Sequence, residues 1–377
     1  MGWTGVQYSI YRAALALAVA GVCSSRMSIT EGPTVPLLGL GVLGSVAFAI
    51  GWRDRAVAIN LLLLVGGLAA LVDGAPLILP ELDVIVTASL LLLHLFTPIT
   101  PFGSWDARGR VDPRGDWARP GWLGDVAWIW LAALHGIIAA THLGDVARTT
   151  AELDFGWLVG VTIGFEIVFV VASFRRRWRR AAWIALTLWL IGCFAAFGLE
   201  TGDLALLLLH AFAADPGWWP GRSLVAGANE AEFHPSVGPA RLFYDGDCGF
   251  CHRSVRLILS EELNTPESLR LRFAPLQGEA FGQLVATRGE LDVESLPDSI
   301  VLCCEDGRLL TQSAAALEIA SRLGGLWRGL ALAFGVLPRA LLDRAYDGIA
   351  RIRKRLFASP KDACPILPPD LRQRFDL

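Results

Sequence analysis

Two cysteines have the spacing of a thiol–disulfide exchange site. Cys248 and Cys251 are separated by two residues, after a strand predicted over 241–244 and at the start of a helix predicted over 252–262. The first cysteine of such a pair lies where backbone N–H groups and the helix dipole stabilise a thiolate. The second lies one turn inside the helix, where its thiol resolves a mixed disulfide. The spacing therefore predicts Cys248 as the nucleophile and Cys251 as the resolving thiol.

Charged neighbours act on this site in opposite directions. The guanidinium of Arg253 favours a thiolate, whereas the carboxylates of Asp245 and Asp247 oppose one. The sequence leaves open which of the two effects is larger.

The same cysteines fit two other chemistries. The run Cys-Gly-Phe-Cys-His over 248–252 is also the attachment pattern of c-type haem, and a zinc site could add Cys303, Cys304 or Cys364. Adjacent residues on a strand point to opposite faces, so Cys303 and Cys304 do not readily bind one ion. We therefore expect core packing for both, with no cofactor and no metal, and the role of Cys364 stays open.

The segments around the cysteine pair predict a small α/β domain. Apolar patterning indicates a second strand and helix, then a hairpin with a Gly turn, then a helix ended by two glycines. These elements are predicted over 269–274, 278–287, 299–304 with 308–311, and 313–323. The order βαβα followed by ββα is that of a thioredoxin-like α/β domain.

The residues of this half resemble the DCC family of predicted thiol–disulfide oxidoreductases. The run Tyr244-Asp245-Gly246-Asp247-Cys248-Gly249-Phe250-Cys251 is similar to the opening motif of that family. The resemblance covers roughly 241–377 and continues through Asp298-Ser299, Leu323-Gly324-Gly325, Tyr346, Ala350-Arg351 and the ending from Cys364 to Phe375. It implies thiol–disulfide exchange with a protein or small-molecule partner, without nucleic acid, and supporting roles for Tyr244, Asp245 and Gly246.

Ser299 marks a departure from the thioredoxin pattern. Counting back eight residues from Gly307 places Ser299 where thioredoxins have a cis-proline beside the dithiol, and Pro297 lies two positions away. We therefore expect substrate docking near Ser299 to differ from that in thioredoxin, with the exchange chemistry retained.

The N-terminal part of the chain has a different composition. Of the 377 residues, 54% are hydrophobic and 18% are charged, and residues 1–220 hold 14 Arg, 16 Asp and Glu, no Lys and 13 of the 14 Trp. A soluble protein carries about 25% charged residues. This asymmetry excludes a single soluble domain, a disordered chain and a disulfide-rich secreted fold. It predicts a transmembrane helical domain over 1–219, a linker over 220–240 and the soluble domain over 241–377.

Apolar runs of bilayer length predict an α-helical polytopic membrane bundle of about eight spans. The runs lie at about 8–24, 34–51, 56–72, 83–98, 122–142, 155–174, 181–199 and 203–219. Three alternate loops carry eleven arginines, whereas the loops between them carry only Arg26 and Arg148. This positive-inside pattern predicts a bacterial-type inner membrane with the C-terminal domain in the cytosol.

Several ionisable residues fall inside the predicted spans, where such groups are costly unless they are paired or functional. The candidates are Arg12, His94, His135, Glu166 and His210. The simplest expectation is that Arg12 and Glu166 pair inside the bundle while the histidines bind neighbouring helices. The alternative is a cavity for a ligand or cofactor, including a haem held between two histidines. His135 and His142 lie about 10.5 Å apart along one helix, which is too far for one metal ion.

Two short motifs of the membrane half resemble the membrane region of vitamin K-dependent carboxylases. They are Trp52-Arg53-Asp54-Arg55 and the run Ser-Trp-Asp-Ala-Arg-Gly-Arg over 104–110. The carboxylase chemistry is not implied, because it needs a lysine base and the chain has lysines only at 354 and 361.

Two C-terminal stretches each have two possible contact surfaces. The apolar stretch 326–336 is too short to span a bilayer, so it packs on the domain or on a membrane surface. The basic amphipathic turn over 350–356 is either a solvated helix face or a contact with anionic lipid.

Together these patterns predict a membrane-anchored thiol–disulfide oxidoreductase. Because the cytosol is reducing, we expect it to reduce a partner at the cytosolic face. Two alternatives stay open: a bundle that binds lipid, quinone or a small solute with the dithiol as a redox sensor, and an electron-transfer protein that carries haem or metal.

Overall fold

The structure is a computed structural model. It describes residues 3–28, 32, 34–72, 81–115, 117–148, 156–199, 201–215, 218, 239–262, 265, 267, 270–287, 299–356 and 367–376. Pro297, Asp298, Cys364 and residues 220–238 of the predicted linker lie outside this part of the chain.

The chain divides into two compact units. One contains Tyr8–Asp106 and Ala118–Trp218, and the other contains Met1–Gln7, Ala107–Trp117 and Trp219–Leu377. The unit that holds the cysteine pair therefore also includes two short segments from the N-terminal half, which the sequence did not predict. The domain boundaries at 219 and 241 stay a prediction.

Eight α-helices precede the sheet in the described part of the chain, and each predicted apolar run falls on one of them. They are α1 Gly5–Met27, α2 Thr34–Ile50, α3 Asp54–Val72, α4 Leu82–Leu95, α5 Gly121–Arg148, α6 Gly156–Ser173, α7 Arg176–Phe197 and α8 Thr201–Ala213. Within the helical unit, α5 packs on both α6 and α8, and α4 packs on both α3 and α8.

Three of these helices are long and apolar enough to cross a membrane. Among the described residues they are Gly5–Met27, Gly121–Gly144 and Arg176–Phe197. Four other apolar stretches are shorter, at 10–17 residues: Thr34–Ile50, Leu82–Leu95, Trp157–Ser173 and Gly202–Ala213. The described part of the chain thus contains three candidate membrane spans, and the count of about eight stays a prediction.

The position directly after α2, residue 51, requires a glycine. Its φ is +69°, and a Cβ atom at this position would lie 2.5 Å from Nη2 of Arg12 and 2.6 Å from Cβ of Ser104. A side chain would therefore displace the buried guanidinium of Arg12, in addition to straining the backbone.

The second unit is built on a four-stranded sheet. Its elements are β1 Arg241–Tyr244, α9 Gly249–Glu261, β2 Arg272–Pro275, α10 Glu279–Thr287, β3 Val301–Cys303, β4 Leu309–Thr311, α11 Gln312–Leu323, α12 Gly325–Gly335, α13 Arg339–Leu356 and α14 Pro369–Arg372. The strand order is β2-β1-β3-β4, with β1 parallel to β2 and antiparallel to β3, and β3 antiparallel to β4. The predicted order βαβα then ββα is confirmed.

Two strands are shorter than predicted because side chains take their backbone groups. The N–H of Leu271 donates to Oε1 of Glu262 at 2.9 Å, so β2 begins only at Arg272. The N–H of Ile300 donates to the hydroxyl of Tyr346 at 3.2 Å, so β3 begins at Val301.

The two faces of the sheet bury separate clusters. One cluster packs Leu242, Tyr244, Phe273 and Leu302 against α9, α11 and the C-terminal tail. The other packs Phe243, Ala274, Val301 and Cys303 against Phe281 of α10. Alternate residues of each strand point to opposite faces, as the pleat requires.

The C-terminal residues cover the free edge of β2. Phe375 forms a parallel bridge with Phe273, and the two rings stack with centroids 5.2 Å apart. Asp376 forms ion pairs with Arg241 and Arg272, and these cations lower the pKa of its carboxyl. The tail therefore closes an edge that would otherwise expose unpaired backbone groups.

Candidate functional site

The cysteine pair lies at the N-terminus of α9, directly after β1. Cys248 is the N-cap residue, with φ −98° and ψ 110°, and its Sγ accepts a hydrogen bond from the N–H of Cys251 at 3.3 Å. Both cysteines are buried, with exposures of 5% and 3%. The N-terminus of a helix carries positive partial charge, and Sγ of Cys248 lies beside it.

The helix itself is anchored by its apolar face. Val255, Ile258 and Leu259 are buried in the same cluster as the two cysteines. Because these residues recur at helical spacing, α9 packs one face on the sheet. This packing fixes the position of its first turn, which carries the cysteine pair.

Gln277 holds the loop that leads into Cys248. Its Oε1 accepts from the N–H of Gly246 at 3.1 Å, and its Nε2 donates to Oδ1 of Asp245 at 3.0 Å. The same Oδ1 accepts from the N–H of Asp247 at 3.0 Å. The carboxylate of Asp245 is therefore used to shape the loop. Sequence reasoning missed Gln277, which lies 31 residues from Gly246 and carries no motif of its own.

His252 and Tyr244 fix the other side of this loop. Nε2 of His252 lies 2.7 Å from the carbonyl oxygen of Gly246, so Nε2 is the donor. The ring of Tyr244 meets the ring of His252 edge-on, with centroids 5.5 Å apart. Tyr244 is buried, whereas the side chain of Arg253 is exposed on the outer surface of α9. The catalytic influence predicted for Arg253 stays a prediction.

Ser299 is buried between the hairpin and α11. Its Oγ donates to the carbonyl of Ile300 at 3.0 Å and accepts from the N–H of Gln312 at 3.4 Å. Its hydroxyl thus joins the beginning of β3 to the beginning of α11. The substrate-docking role predicted for this position stays a prediction.

Cys303 and Cys304 occupy opposite faces of the sheet, as predicted. Cys303 belongs to the α10 cluster, whereas Cys304 lies in the cluster that contains Cys248 and Cys251. Burial raises the pKa of the Cys304 thiol to about 11, which keeps it protonated at neutral pH. The core packing predicted for both is confirmed. Within the described ranges, no group of three His, Cys, Asp or Glu side chains is arranged to hold a metal ion.

The candidate residues of the helical unit fall into two groups. In the first, Asp54 lies between two partners: its Oδ2 is 3.4 Å from Nη1 of Arg12, and its Oδ1 is 3.2 Å from Nε2 of His94. Nδ1 of His94 contacts the hydroxyl of Tyr8 at 2.5 Å. All four side chains are buried.

The second group surrounds Glu166. Its Oε1 lies 3.8 Å from Nδ1 of His135, and its Oε2 lies 3.5 Å from Nδ1 of His142. Nε2 of His135 contacts Nε2 of His210 at 2.9 Å, and Nδ1 of His210 contacts the hydroxyl of Thr187 at 3.0 Å. Four helices thus contribute to this group, and one carboxylate contacts both histidines of α5.

The predicted pairing of Arg12 with Glu166 is wrong. Arg12 pairs with Asp54, which stands in the first turn of α3, where the helix dipole also favours a carboxylate. Glu166 has two histidines of the packed helix α5 as partners instead. The haem alternative pairs His94 or His210 with His135 or His142, and of these histidines His135 and His210 are in direct contact with each other.

Comparisons with known proteins agree with the chemistry of the cysteine pair. The family model described as DCC1-like thiol-disulfide oxidoreductase matches residues 242–359. The uncharacterized protein YuxK of Bacillus subtilis (strain 168) is 34% identical over 134 residues, which are 36% of this chain and 91% of that protein. No solved structure matches. The similarity of the membrane half to carboxylases stays a prediction. Through the part of the chain that carries Cys248 and Cys251, this protein belongs to the DCC1-like thiol-disulfide oxidoreductase family.

Proposed function

We propose that the protein is a membrane-anchored thiol–disulfide oxidoreductase in which Cys248 is the nucleophile and Cys251 the resolving thiol. The observation that carries this proposal is the hydrogen bond from the Cys251 N–H to Sγ of Cys248 at a helix N-terminus. The strand order of the sheet, with β1 central and leading into the cysteine pair, supports a thioredoxin-like domain.

The exchange proceeds in two displacements. The thiolate of Cys248 attacks one sulfur of a partner disulfide, which forms a mixed disulfide and releases the other partner sulfur as a thiolate. The thiolate of Cys251 then attacks Sγ of Cys248, closes the Cys248–Cys251 disulfide and releases the second partner sulfur. Two electrons pass to the partner, whose two sulfurs take up the protons that the dithiol gave up. A separate reductant, either a dithiol or two molecules of a small thiol, returns the pair to its reduced form and leaves as a disulfide.

A redox titration of the full-length protein tests this function. The protein in detergent is equilibrated with glutathione buffers, trapped with a maleimide and analysed by mass spectrometry. We expect a reversible loss of two thiols that peptide mapping assigns to Cys248 and Cys251. A Cys303→Ala variant, which removes a cysteine from the other face of the sheet, is the matched control and titrates like the parent. Failure of the pair to form a disulfide at any potential would contradict the proposal.

The membrane and cytosolic parts of the proposal rest on different observations. Three candidate spans support anchoring, and the arginine-rich loops support a cytosolic position for the cysteine pair, where reduction of the partner is the expected direction. Labelling of intact cells with a maleimide that cannot cross the membrane tests the position. A cytosolic Cys248 is labelled only after the cells are opened, whereas labelling in intact cells would place it outside.

The buried group around Glu166 favours a second candidate function. A carboxylate with three histidines in a predicted membrane bundle is the kind of group that binds a polar part of a solute, lipid or quinone. In this reading the cysteine pair is a redox sensor. Complementation of a deletion strain separates the two: failure of Glu166→Gln alongside success of a Cys248→Ser, Cys251→Ser double variant favours the bundle, and the reverse result favours the oxidoreductase.

A further inference from the structure

The turn between α12 and α13 exposes a continuous apolar surface. Every residue from 332 to 341 is exposed, and the run includes five large apolar side chains. They are Leu332, Phe334, Val336, Leu337 and Leu341, and Val336 is 84% exposed. Soluble proteins rarely leave such a contiguous apolar surface uncovered. Together with the exposed side chains of Ala345, Ile349 and Ile352 of α13, these residues form what we call the α12–α13 surface.

One face of α13 is committed to the domain. Oδ1 of Asp343 accepts from the N–H of Ser313, and Oδ1 of Asp347 accepts from Nε2 of Gln312 at 2.7 Å. The hydroxyl of Tyr346 accepts from the N–H of Ile300 at 3.2 Å. Positions 343, 346 and 347 share one side of a helix. The acidic side chains of α13 are therefore turned toward α11 and the sheet.

The opposite face of α13 is apolar and exposed. Leu341, Ile349 and Ile352 are more than half exposed, at 52%, 55% and 52%, and Ala345 lies among them at helical spacing. This face continues the apolar run of the preceding turn.

Basic residues border this apolar face. The sequence of α13 contains six Arg or Lys and two Asp, and both acidic residues lie on the domain side. Arg344 and Arg351 are exposed and lie seven residues, or about two turns, apart along the same edge of the apolar face. An exposed apolar stripe with a basic border is complementary to the acyl chains and the anionic headgroups of a bilayer surface.

We propose that the α12–α13 surface lies on an anionic lipid surface, with the apolar side chains in the acyl boundary and the arginines at the headgroups. A basic border disfavours a purely apolar protein partner, because the arginines would lose their hydration without a counter-charge. This surface is separate from the cysteine pair, so the proposal stands or fails independently of the proposed function.

Lipid quenching in nanodiscs tests the proposal on the full-length protein. A fluorescent unnatural amino acid replaces Ala345 on the outer face of α13 or, as the matched control, the exposed Ala286 of α10. Nanodiscs contain phosphatidylcholine with brominated acyl chains, with or without an equal part of phosphatidylglycerol. We expect severalfold greater quenching at position 345 than at position 286, and a further increase in the anionic discs.

Charge reversal separates the quenching that depends on anionic headgroups from the quenching that depends only on exposure of the label. An Arg344→Glu, Arg351→Glu double variant should lose the increase caused by phosphatidylglycerol, whereas Arg308→Glu in the exposed hairpin turn should keep it. Equal quenching at 345 and 286 overturns the proposal. So does a label at 345 that is shielded from aqueous iodide but not quenched by lipid, because that result assigns the surface to a protein partner or a second copy.

Discussion

The N–H of Cys251 donates to Sγ of Cys248 at 3.3 Å, so the first turn of α9 directs a backbone donor at the sulfur of its own N-cap residue. A thiolate is the better acceptor for such a donor, and it also gains from the helix dipole. This asymmetry between the two sulfurs supports the proposed roles, in which Cys248 attacks and Cys251 resolves the mixed disulfide.

Replacing Cys251 with Ser should trap the intermediate. In Cys251→Ser the mixed disulfide between Cys248 and the partner forms but is not resolved, because a hydroxyl does not displace a thiol under these conditions. We expect a covalent adduct, lost on reduction, in a non-reducing gel of cells expressing this variant. Cys248→Ser should give no adduct and no measurable exchange. Equal adduct formation by the two variants would show that the assigned roles are wrong.

Replacing Gln277 with Ala should slow disulfide exchange while lowering the free energy of unfolding only slightly. The side chain is exposed, and each of its two hydrogen bonds is worth about 1 kcal/mol or less in net stability. The loop before Cys248 loses both tethers, however, so we expect the rate of Cys248 alkylation and of disulfide exchange to fall severalfold.

Gln277→Glu sharpens this test. A glutamate keeps an acceptor for the Gly246 N–H but loses the donor to Asp245 and adds a like charge beside that carboxylate. We expect slower alkylation than in Gln277→Ala, with the pH profile moved to higher pH. Gln283→Ala, on the exposed side of α10, is the control. Unchanged rates in both Gln277 variants would show that the loop does not depend on these bonds.

The local parts of the site were predictable from the sequence, because a strand, a turn and a capped helix are encoded by neighbouring residues. Cys248, Cys251 and the split of Cys303 from Cys304 follow from helix capping and from the alternation of a strand. Gln277 was not predictable, since its partners depend on how β2 lies beside β1.

Contacts between distant segments could not be predicted from the sequence for the same reason. Thr4 binds Glu261 across 257 positions, and Arg114 binds Asp370 across 256, at 2.7 Å between Nη1 and Oδ2. No periodicity in either segment points to the other. The prediction that Arg12 pairs with Glu166 was wrong for the same reason. The sequence contains several carboxylates in apolar surroundings, and only the packing of the helices brings Asp54 to Arg12.

Replacing Glu261 should test how the N-terminal residues join the sheet unit. Its buried carboxylate accepts hydrogen bonds from the hydroxyl of Thr4, the N–H of Val6 and Nε1 of Trp327. Glu261→Ala leaves these donors without an acceptor, so we expect a loss of about 3 kcal/mol in the free energy of unfolding of this unit. Exposure of the buried Cys304 thiol to a maleimide measures that unfolding, and Glu267→Ala on the surface is the control. An unchanged midpoint for Glu261→Ala would contradict the role given to this carboxylate.

The same carboxyl should also make stability depend on pH. Burial raises its pKa above the ordinary value of 4.5, so between that value and the folded pKa the folded protein binds the extra proton. Stability is therefore greatest below the ordinary pKa and falls as pH rises through the window up to the folded pKa. Glu261→Gln, which has no proton to lose, should remove this slope in unfolding midpoints taken across the acidic range. A variant that retained the parent slope would assign the dependence to another group.

Cys304 shares a core cluster with the reactive pair and yet should take no part in exchange. Burial raises its pKa to about 11, so at pH 8 only about one molecule in a thousand carries its thiolate, before any limit on access is counted. We expect iodoacetamide to label Cys248 at least about a hundredfold faster than Cys304 in the folded protein, as read by peptide mass spectrometry. Cys304→Ala should leave the exchange rate within about twofold of the parent and lower stability by about 1 kcal/mol, since the substitution removes one buried heavy atom. Loss of exchange in Cys304→Ala with an unchanged unfolding midpoint would instead make Cys304 a third redox-active thiol, reached from the pair through the core of the sheet.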